Sequence, residues 1–268
     1  MKQLQTGQFF GQTNRHIQLD GLTITDTEYT HEKVDWHYHE KPYFTFILQG
    51  KVLEGNKNEI HECAAGSLLF HNWDDAHYNI KPPGFTRGFH IEIDQNWLHR
   101  FDISLDNLKG NIAVETPDAK MLFYKLFTES KIENNFTNTV INSLLINSLE
   151  NIKNRNEQNY SSIPNWAKTL KEILHENIAD DLSLLQLSGI LNIHPVHLSR
   201  YFPKYFGCTL GEYNRKLKVE KSLALLIDKD KSMAEIAYET NFSDQSHYIR
   251  CFKEQMGQTP LQYRKLLF

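Results

Sequence analysis

The last third of the chain carries one sequence pattern twice, at matched positions 50 residues apart. The first copy, SRYFPKYFGCTLGEYNRKL, begins at Ser199, and the second, YIRCFKEQMGQTPLQYRKLL, begins at Tyr248. The matched pairs are Arg200 with Arg250, Phe202 with Phe252, Gly207 with Gly257, Thr209 with Thr259, Tyr213 with Tyr263, and Leu217 with Leu267. In each copy a glycine suited to end a helix is soon followed by a threonine suited to begin the next one. The pattern therefore predicts one supersecondary unit built twice.

Four helix starts in this region share one side-chain signal, the capping box. A Ser or Thr followed three residues later by Glu or Gln lets each side chain bond a backbone N–H of the other residue. The four pairs are Ser183 with Gln186, Thr209 with Glu212, Ser232 with Glu235, and Thr259 with Gln262. Pro260 stands at the first position of the last helix, where its missing N–H costs nothing. These starts predict a compact all-helical domain.

A shorter helix precedes each repeated segment. SLLQLSGILN and SMAEIAYETN are each followed by a tight turn and a second helix, which is the order of a helix-turn-helix unit. The stripes predicted to face the core are Leu198, Tyr201 and Phe202 in the first unit, and Tyr248, Cys251 and Phe252 in the second. The opposite stripes are Val196, Ser199 and Arg200, and Ser246, Ile249 and Arg250, each on one helix face.

The residue types on these outer stripes suit a DNA surface. Arginine bonds guanine in a bidentate way or grips a phosphate, serine does either weakly, and an aliphatic group packs on a thymine methyl. A single amphipathic helix always has a polar face, on which arginine is usually only solvated. Two copies with arginine at the matched position favour DNA binding over that alternative.

The distribution of charge supports this interpretation modestly. The chain has 29 basic and 33 acidic residues, a net charge of −4. Residues 161–268 hold 14 basic and 12 acidic side chains, whereas residues 1–160 hold 15 and 21. Around the first unit lie Arg200, Lys204, Arg215, Lys216, Lys218 and Lys221. Because phosphate contacts supply most non-specific affinity, such a cluster fits a DNA face.

The segment Ser232–Arg264, SMAEIAYETNFSDQSHYIRCFKEQMGQTPLQYR, resembles the signature of AraC-type bacterial transcription regulators. The shared elements are S-x-x-x-R-x-F-K followed by G-x-[ST]-P-x-x-Y-R, and the resemblance covers Trp166 to Phe268. It implies seven helices in two helix-turn-helix units, joined by a long helix over about Thr209–Ile227, that enter successive major grooves. The implied base-facing residues are Val196, Ser199, Arg200, Gln245, Ser246, Ile249 and Arg250.

The sequence departs from this signature at three positions. Asn241 replaces the turn glycine and tolerates the left-handed conformation nearly as well. Ser222 occupies a position that is usually alanine on the linking helix. Pro203 lies inside the first recognition helix, where it removes a hydrogen bond to Ser199, and we expect it to bend the helix.

The N-terminal half has a different periodicity. Between about Gly7 and Asp94, short runs of alternating apolar residues are broken by glycine, proline and asparagine, which is typical of an all-β barrel or sandwich. VDWHYHEKPYFTFILQG, residues 34–50, places His37 and His39 on one face of an extended segment. We expect a barrel over about 7–115.

This segment resembles the cupin barrel, whose metal-binding members carry H-x-H and a glutamate on one motif and a third histidine on another. His37, His39 and His77 match three of these positions, and Tyr43 stands where the glutamate would be. Tyrosine, with a pKa near 10, is a poor ligand for ordinary divalent metals. Three interpretations fit these residues. The preferred one is a small-molecule effector pocket lined by His37, His39, Tyr43 and His77, with no metal or cofactor assigned. The other two are a bound metal and an inert barrel structure.

Other aromatic and ionisable residues of this half receive structural roles. Trp36, Trp73 and Tyr43 are candidates for aromatic pocket walls. Surface or core positions are expected for His31, His61, His71, His90 and His99. The pair Asp74-Asp75 is expected to form a turn with exposed charges. No nucleophile–base arrangement, phosphate loop or paired-carboxylate signature stands out, so an enzyme is not expected.

Helical spacing begins at Pro117 and predicts two helices over about 117–153. A polar stretch at 154–164 is the predicted linker. The expected organisation is therefore a two-domain chain. A cupin or jelly-roll barrel with following helices spans 1–155, and an all-α double helix-turn-helix domain spans 165–268. A homodimer through the helix at 138–152 and packing within one chain are equally open.

Three scattered cysteines, no signal-like start and no long apolar run indicate a cytoplasmic protein without a membrane segment. We expect a sequence-specific DNA-binding transcription regulator controlled by a small-molecule effector in the barrel. The expected partners are double-stranded DNA, the effector and a second copy, with RNA polymerase as a further candidate. The alternatives are a cupin-type metal-dependent oxygenase with an appended DNA-binding domain, and an architectural DNA binder without ligand control.

Overall fold

The computed structural model describes the whole chain except Asp74 and residues 106–107, 109–111, 115–116, 133, 158–162 and 177–181. Two compact units are present, Met1–Ile152 and Lys153–Phe268. Within the predicted linker at 154–164, residues 158–162 lie outside the residues whose placement is described, and residues 154–157 are helical. The expected Asp74-Asp75 turn likewise falls partly outside them.

The described part of the first unit contains two β-sheets. The strands are β1 (Lys2–Leu4), β2 (Gln12–Leu19), β3 (Leu22–Glu28), β4 (Lys33–His39), β5 (Tyr43–Gln49), β6 (Lys51–Gly55), β7 (Ile60–Ala64), β8 (Leu68–His71), β9 (His77–Ile80), β10 (Arg87–Ile93) and β11 (Ile112–Ala113). One sheet has the order β1-β4-β9-β6-β7, and the other has the order β11-β8-β5-β10-β3-β2. Consecutive strands often lie in different sheets, as in a jelly roll. The predicted β-barrel class is confirmed.

Strand β5 is buried on both of its faces. On one face, the ring of Phe44 lies 4.9 Å from that of Phe123, and Phe46 lies 4.6 Å from Tyr124. On the other face, Tyr43 and Thr45 line a pocket between the sheets. Because both faces of β5 are buried, its alternation of apolar and polar residues is not matched by an alternation of buried and exposed positions.

Three helices belong to this part of the chain: α1 (Gln95–Arg100), α2 (Pro117–Ser130) and α3 (Thr137–Glu157). Helix α2 supplies Phe123 and Tyr124, and it covers the outer face of the six-stranded sheet. The indole N–H of Trp97 donates to Asn142 Oδ1 at 2.7 Å and so joins α1 to α3. The two helices predicted after Pro117 are confirmed.

A buried ionic cluster joins the sheet to the end of α2. Arg87 donates two hydrogen bonds of 2.7 Å to the carboxylate of Asp26, and the ammonium of Lys131 lies 2.5 Å from the same carboxylate. Burial alone would raise the pKa of Asp26, but the hydrogen bonds and charges of Arg87 and Lys131 outweigh it and lower that pKa. Asp26 is therefore ionised in the folded protein at neutral pH.

The second unit is helical in its described part. Its helices are α4 (Asn165–Glu176), α5 (Leu184–Leu191), α6 (Pro195–Phe206), α7 (Leu210–Leu225), α8 (Met233–Glu239), α9 (Gln245–Met256) and α10 (Pro260–Leu267). These are the seven helices that the resemblance implies. All four capping boxes form, at Ser183, Thr209, Ser232 and Thr259. Helix α7 is the predicted long connection, and α6 continues through Pro203 to Phe206.

The duplication is visible in the backbone as well as in the sequence. Helix α6 ends at Gly207 with φ of 74°, and helix α9 ends at Gly257 with φ of 76°. A side chain is strained in this left-handed region, so glycine ends both helices cheaply. No helix among the described residues is both long and apolar enough to cross a membrane.

Candidate nucleic-acid interface and barrel pocket

The first helix-turn-helix consists of α5, a short turn and α6. Asn192 takes the left-handed conformation at φ 53° and ends α5. His194 then caps α6, since its ring Nδ1 accepts from the Val196 N–H at 3.3 Å. Val196 is 65% exposed, and Ser199 and Arg200 are also exposed. The three side chains predicted to face bases on α6 thus share one open face.

The second helix-turn-helix repeats this arrangement with α8 and α9. Asn241 has φ of 56°, as expected for a residue replacing the turn glycine. Gln245, Ser246 and Arg250 are exposed, and Ile249 is half-buried. Ser246, Ile249 and Arg250 line a shallow groove together with Lys253 and Glu254. Glu254 is an acidic neighbour that the sequence analysis did not place on this surface.

The inner stripes differ from expectation at one position. Leu198, Phe202, Tyr248, Cys251 and Phe252 are buried as predicted. Tyr201 was predicted to face the core, and this is wrong because 37% of the residue is exposed. Its ring lies against the ring of His197, one turn earlier in α6, with 4.4 Å between the two centroids. The bulk of a tyrosine is accommodated at the helix edge, whereas the smaller Cys251 fits inside at the matched position.

The basic cluster is only partly available to a ligand. Lys218 donates from its ammonium to the backbone oxygen of Asn241 at 2.8 Å and thereby ties α7 to the turn of the second unit. Lys218 therefore stabilises the packing of α7 against this turn. The contact does not support the prediction that Lys218 faces DNA. Arg264 of the signature donates to the Leu226 oxygen at 3.0 Å, at the end of α7. By contrast, Arg200 and Lys204 are exposed on α6.

In the first unit, the four residues predicted to line an effector pocket lie together between the two sheets. His37 and His39 are contributed by β4, Tyr43 by β5 and His77 by β9. All four are at most 3% exposed. The ring of His37 lies 4.2 Å from that of His77, and the ring of His39 lies 4.3 Å from that of Tyr43.

Backbone hydrogen bonds orient two of these imidazoles. Nδ1 of His37 donates to the Asp35 oxygen at 2.9 Å, and Nδ1 of His77 donates to the Asp75 oxygen at 3.0 Å. A carbonyl only accepts, so Nδ1 carries the proton and Nε2 is left as an acceptor facing the pocket. Burial lowers the pKa of His37 to about 4 and that of His77 to about 3. Both rings are therefore neutral at pH 7.

Tyr43 uses the acceptor that this orientation creates. Its hydroxyl lies 3.1 Å from Nε2 of His77 and donates to it. Burial raises the pKa of Tyr43 well above its usual value, so the phenol stays protonated. Three nitrogens from His37, His39 and His77 lie within 4.8 Å of one another, which fits three of the four cupin ligands. Tyr43, at the position of the fourth ligand, competes for one of the three.

The structure brings four further polar residues into the barrel interior that were not predicted to lie near the pocket. Among them, His71 and His90 had been given ordinary core or surface roles. Both are buried, as are the carboxylates of Glu54 and Glu92, and of these four residues His90 and Glu54 line the pocket. Nδ1 of His71 lies 3.4 Å from Glu54 Oε1, and Nδ1 of His39 lies 3.7 Å from Glu92 Oε1. The alternation of side chains along β6, β8 and β10 could have revealed these residues. It places polar side chains at inward positions, where a core would be apolar.

The predicted aromatic walls are only partly correct. Tyr43 lines the pocket, but Trp36 and Trp73 are 42% and 57% exposed and do not. The wall is instead Phe9, whose ring stacks on His90 at 3.7 Å and lies 4.9 Å from His39. Phe9 belongs to a segment preceding β2, a region with no marked periodicity. Nothing in the residue pattern of this segment indicates that Phe9 lies inside the barrel.

The N-terminal segment closes the pocket. Strand β1 pairs in parallel with β4, and Leu4 lies opposite His39 in the register. The N–H of Gly7 donates to Glu92 Oε2 at 2.5 Å. Phe10 lies edge-on to His37 at 5.1 Å. The volume that remains is about 40 Å³, whereas pockets for drug-sized ligands are roughly 300–1,000 Å³.

Comparison with known proteins matches part of the helical unit to a domain family. A model that describes a helix-turn-helix domain matches residues 187–266. The bifunctional transcriptional activator/DNA repair enzyme AdaA of Bacillus subtilis is 31% identical over 101 residues, which are 38% of this chain and 48% of AdaA. The Msm operon regulatory protein of Streptococcus mutans is 22% identical over 273 residues, covering 92% of this chain and 94% of that protein.

The chain thus spans about half the length of AdaA and nearly all of the Msm regulator. Among solved structures, apo ToxT K231A of Vibrio cholerae is 13% identical and has a TM-score of 0.40, with 91% of this chain and 98% of ToxT covered. The family match falls on the duplicated units described above, and the relatives are named as regulators of transcription. The chain therefore contains a helix-turn-helix domain over residues 187–266 and is similar to proteins named as regulators of transcription.

Proposed function

We propose that this protein binds specific double-stranded DNA sequences through α6 and α9 and regulates transcription in response to a ligand in its barrel. The single observation that carries the DNA-binding part is the duplication of one exposed surface. Arg200 and Arg250 occupy matched positions on two helices that begin after the same left-handed asparagine turn. Their neighbours on the same faces are Val196, Ser199, Gln245, Ser246 and Ile249.

Each of these residue types has a defined partner in a major groove. The two arginines suit the O6 and N7 atoms of guanine, and Gln245 suits adenine. Val196 and Ile249 suit thymine methyl groups. Lys204 and Lys253, exposed on the same two helices, suit phosphates. We assign the first set to sequence recognition and the two lysines to affinity.

The experiment is a selection of bound duplexes from a random pool with the full-length protein, followed by competition against scrambled DNA. We expect an enriched sequence bound at least about 10³-fold more tightly than the scrambled duplex. Equal affinity for both duplexes would contradict sequence-specific binding and would favour an architectural DNA binder. Repeating the titration with and without a cell metabolite extract tests control by a ligand.

The barrel supports a sensing role through its enclosed polar interior. Buried histidines and carboxylates cost free energy unless they have partners, so a core made only for stability would be apolar here. A volume of about 40 Å³ admits roughly an ion or one to three waters. An organic effector of ordinary size requires Phe9 to leave its position against His90. Such a ligand controls DNA binding only if it binds the two states of the protein unequally.

A homodimer through residues 138–152 is part of the same proposal. Ile141, Leu145 and Leu149 on α3 are buried within the unit, so only the opposite side is available. Val140 on that side is 36% exposed. Sedimentation of the wild type and of Val140→Lys tests this: a dimer that dissociates in the variant supports the proposal, and a monomeric wild type contradicts it. A cytoplasmic location and contact with RNA polymerase fit a transcription regulator and belong to the proposal as well.

A further inference from the structure

We propose that Glu54, His71 and His77 form a binding site for one divalent first-row transition metal ion inside the barrel. These three side chains lie on β6, β8 and β9, and only His77 belongs to the three histidines of the cupin resemblance. One ligand atom from each lies within 4.8 Å of the other two. The proposal concerns the ion site alone, so it stands or falls independently of DNA binding.

The first supporting observation is the state of His71. The residue is completely buried, and neither ring nitrogen makes a hydrogen bond to the described part of the protein. A buried polar group without a partner costs about 1–3 kcal/mol. Such a group in a native protein calls for an explanation, and an ion bound to the ring is one.

The second observation is the charge that the three residues supply. Glu54 is 2% exposed, and a carboxylate offsets part of the charge of a divalent ion in this dry interior. Its Oε1 already faces Nδ1 of His71 at 3.4 Å, and the side-chain amide of Asn79 donates to its Oε2 at 3.2 Å. The contact with Asn79 orients the carboxylate, as partners of metal ligands commonly do. The alternative group of His37, His39 and His77 contains three imidazoles and no carboxylate.

The third observation is the competition for His77. Because Nδ1 of His77 donates to the Asp75 oxygen, only Nε2 is available to an ion. One nitrogen lone pair binds one ion, so the two groups that share His77 exclude each other. The group with the carboxylate and with His71, whose ring nitrogens make no hydrogen bond to the described residues, is the one we assign.

The chemistry of the three ligands indicates the class of ion. Two imidazoles and one carboxylate bind zinc or ferrous ions, with water completing the shell. Ligand atoms about 2.1 Å from a tetrahedral ion lie about 3.4 Å apart. The ligand atoms lie within 4.8 Å of one another, so the widest separation needs to shorten by up to about 1.4 Å, a movement within the range of side-chain rotation. A cavity of about 40 Å³, lined in part by Glu54 and His77, is large enough for an ion and a water.

The test uses the full-length protein stripped with a chelator and titrated with Zn²⁺ in a calorimeter, with Co²⁺ absorption as a second readout. We expect one ion per chain. His71→Ala removes a ligand, and Glu54→Gln removes the charge while keeping the volume. Loss of an outer partner of a metal ligand costs 10–100-fold in affinity, so loss of a ligand is expected to cost at least about 100-fold.

Two further variants separate the possible outcomes. His37→Ala removes a ligand of the alternative group and is expected to retain Zn²⁺ binding within a few-fold, while His99→Ala on the surface controls for general loss of histidine. Circular dichroism checks that each variant folds, and Glu54→Gln keeps the test valid if His71→Ala does not. The proposal is overturned if the wild type binds no ion, if both His71→Ala and Glu54→Gln bind it normally, or if His37→Ala loses binding as strongly as they do.

Discussion

The hydroxyl group of Tyr43 donates a hydrogen bond to Nε2 of His77 across the barrel, with 3.1 Å between the two atoms. The contact joins a strand of one sheet to a strand of the other, because Tyr43 lies on β5 and His77 on β9. It also occupies the one lone pair of His77 that an ion would use. Tyr43 is therefore an internal competitor for metal at the same place where cupins that bind metal carry a ligand.

Replacing Tyr43 with phenylalanine tests this competition. Tyr43→Phe removes the hydrogen bond but keeps the ring stacked on His71, which lies 4.3 Å away at an angle of 5°. Since a hydrogen bond of this kind is worth about 1 kcal/mol net, Zn²⁺ affinity is expected to rise by about fivefold. Calorimetric titration of the wild type and variant measures the change. Unchanged or weaker binding would show that the hydroxyl does not compete with the ion.

The buried cluster of Asp26, Arg87 and Lys131 predicts a stability that depends on pH. Asp26→Asn leaves two partly buried cations without their carboxylate and is expected to cost about 3 kcal/mol in the free energy of unfolding at pH 7. Because the pKa of Asp26 is lowered in the folded protein, its contribution is present above the unfolded pKa of about 3.9 and is lost as pH falls through the folded value. The difference between wild type and variant is expected to shrink below about pH 4.

Denaturant unfolding at several pH values measures this dependence. Asp35→Asn is a suitable control, because its carboxylate is 86% exposed and its pair with Lys33 lies in solvent. Such a pair contributes about 0–1 kcal/mol. A loss in Asp26→Asn that is no larger than in this control, or one that grows toward acid pH, would contradict the account of the cluster.

The left-handed turn at Asn241 predicts a difference between two small substitutions. Asn241→Ala and Asn241→Gly both remove the side chain, but only alanine has a Cβ that is strained at φ of 56°. We expect the alanine variant to be less stable than the glycine variant by about 1–2 kcal/mol. Thermal unfolding of both proteins measures the difference. Equal stability would mean that the turn relaxes out of the left-handed region at little cost.

The helical half of the fold was predictable because its signals are local. Each capping box needs only residues three positions apart, and Gly207 and Gly257 mark helix ends without help from distant residues. The reliance on local signals also explains the wrong prediction for Tyr201. Its burial depends on how much room the neighbouring helices leave, and the spacing along α6 does not contain that information.

The barrel site depends on strand pairings that the sequence does not reveal. His37 and His39 were recognised from their spacing on one strand. Glu54 and His71 meet only because β6 and β8 lie in opposite sheets, and neither strand carries a motif. Phe9 enters the pocket from the segment between β1 and β2, where long-range contact with His90 decides its place. A single-strand pattern predicts which residues share a face but not which faces meet.

The central claim is that α6 and α9 are two copies of one reading unit, and site selection with Arg200→Ala and Arg250→Ala tests it most directly. For the wild type we expect two enriched blocks of bases separated by about one helical turn, 10–10.5 base pairs. Each alanine variant is expected to relax base choice in one block only, a different block for each, and to weaken binding of the wild-type site by about 1–3 kcal/mol. An even loss of affinity on all sequences, or the absence of two blocks, would contradict the claim.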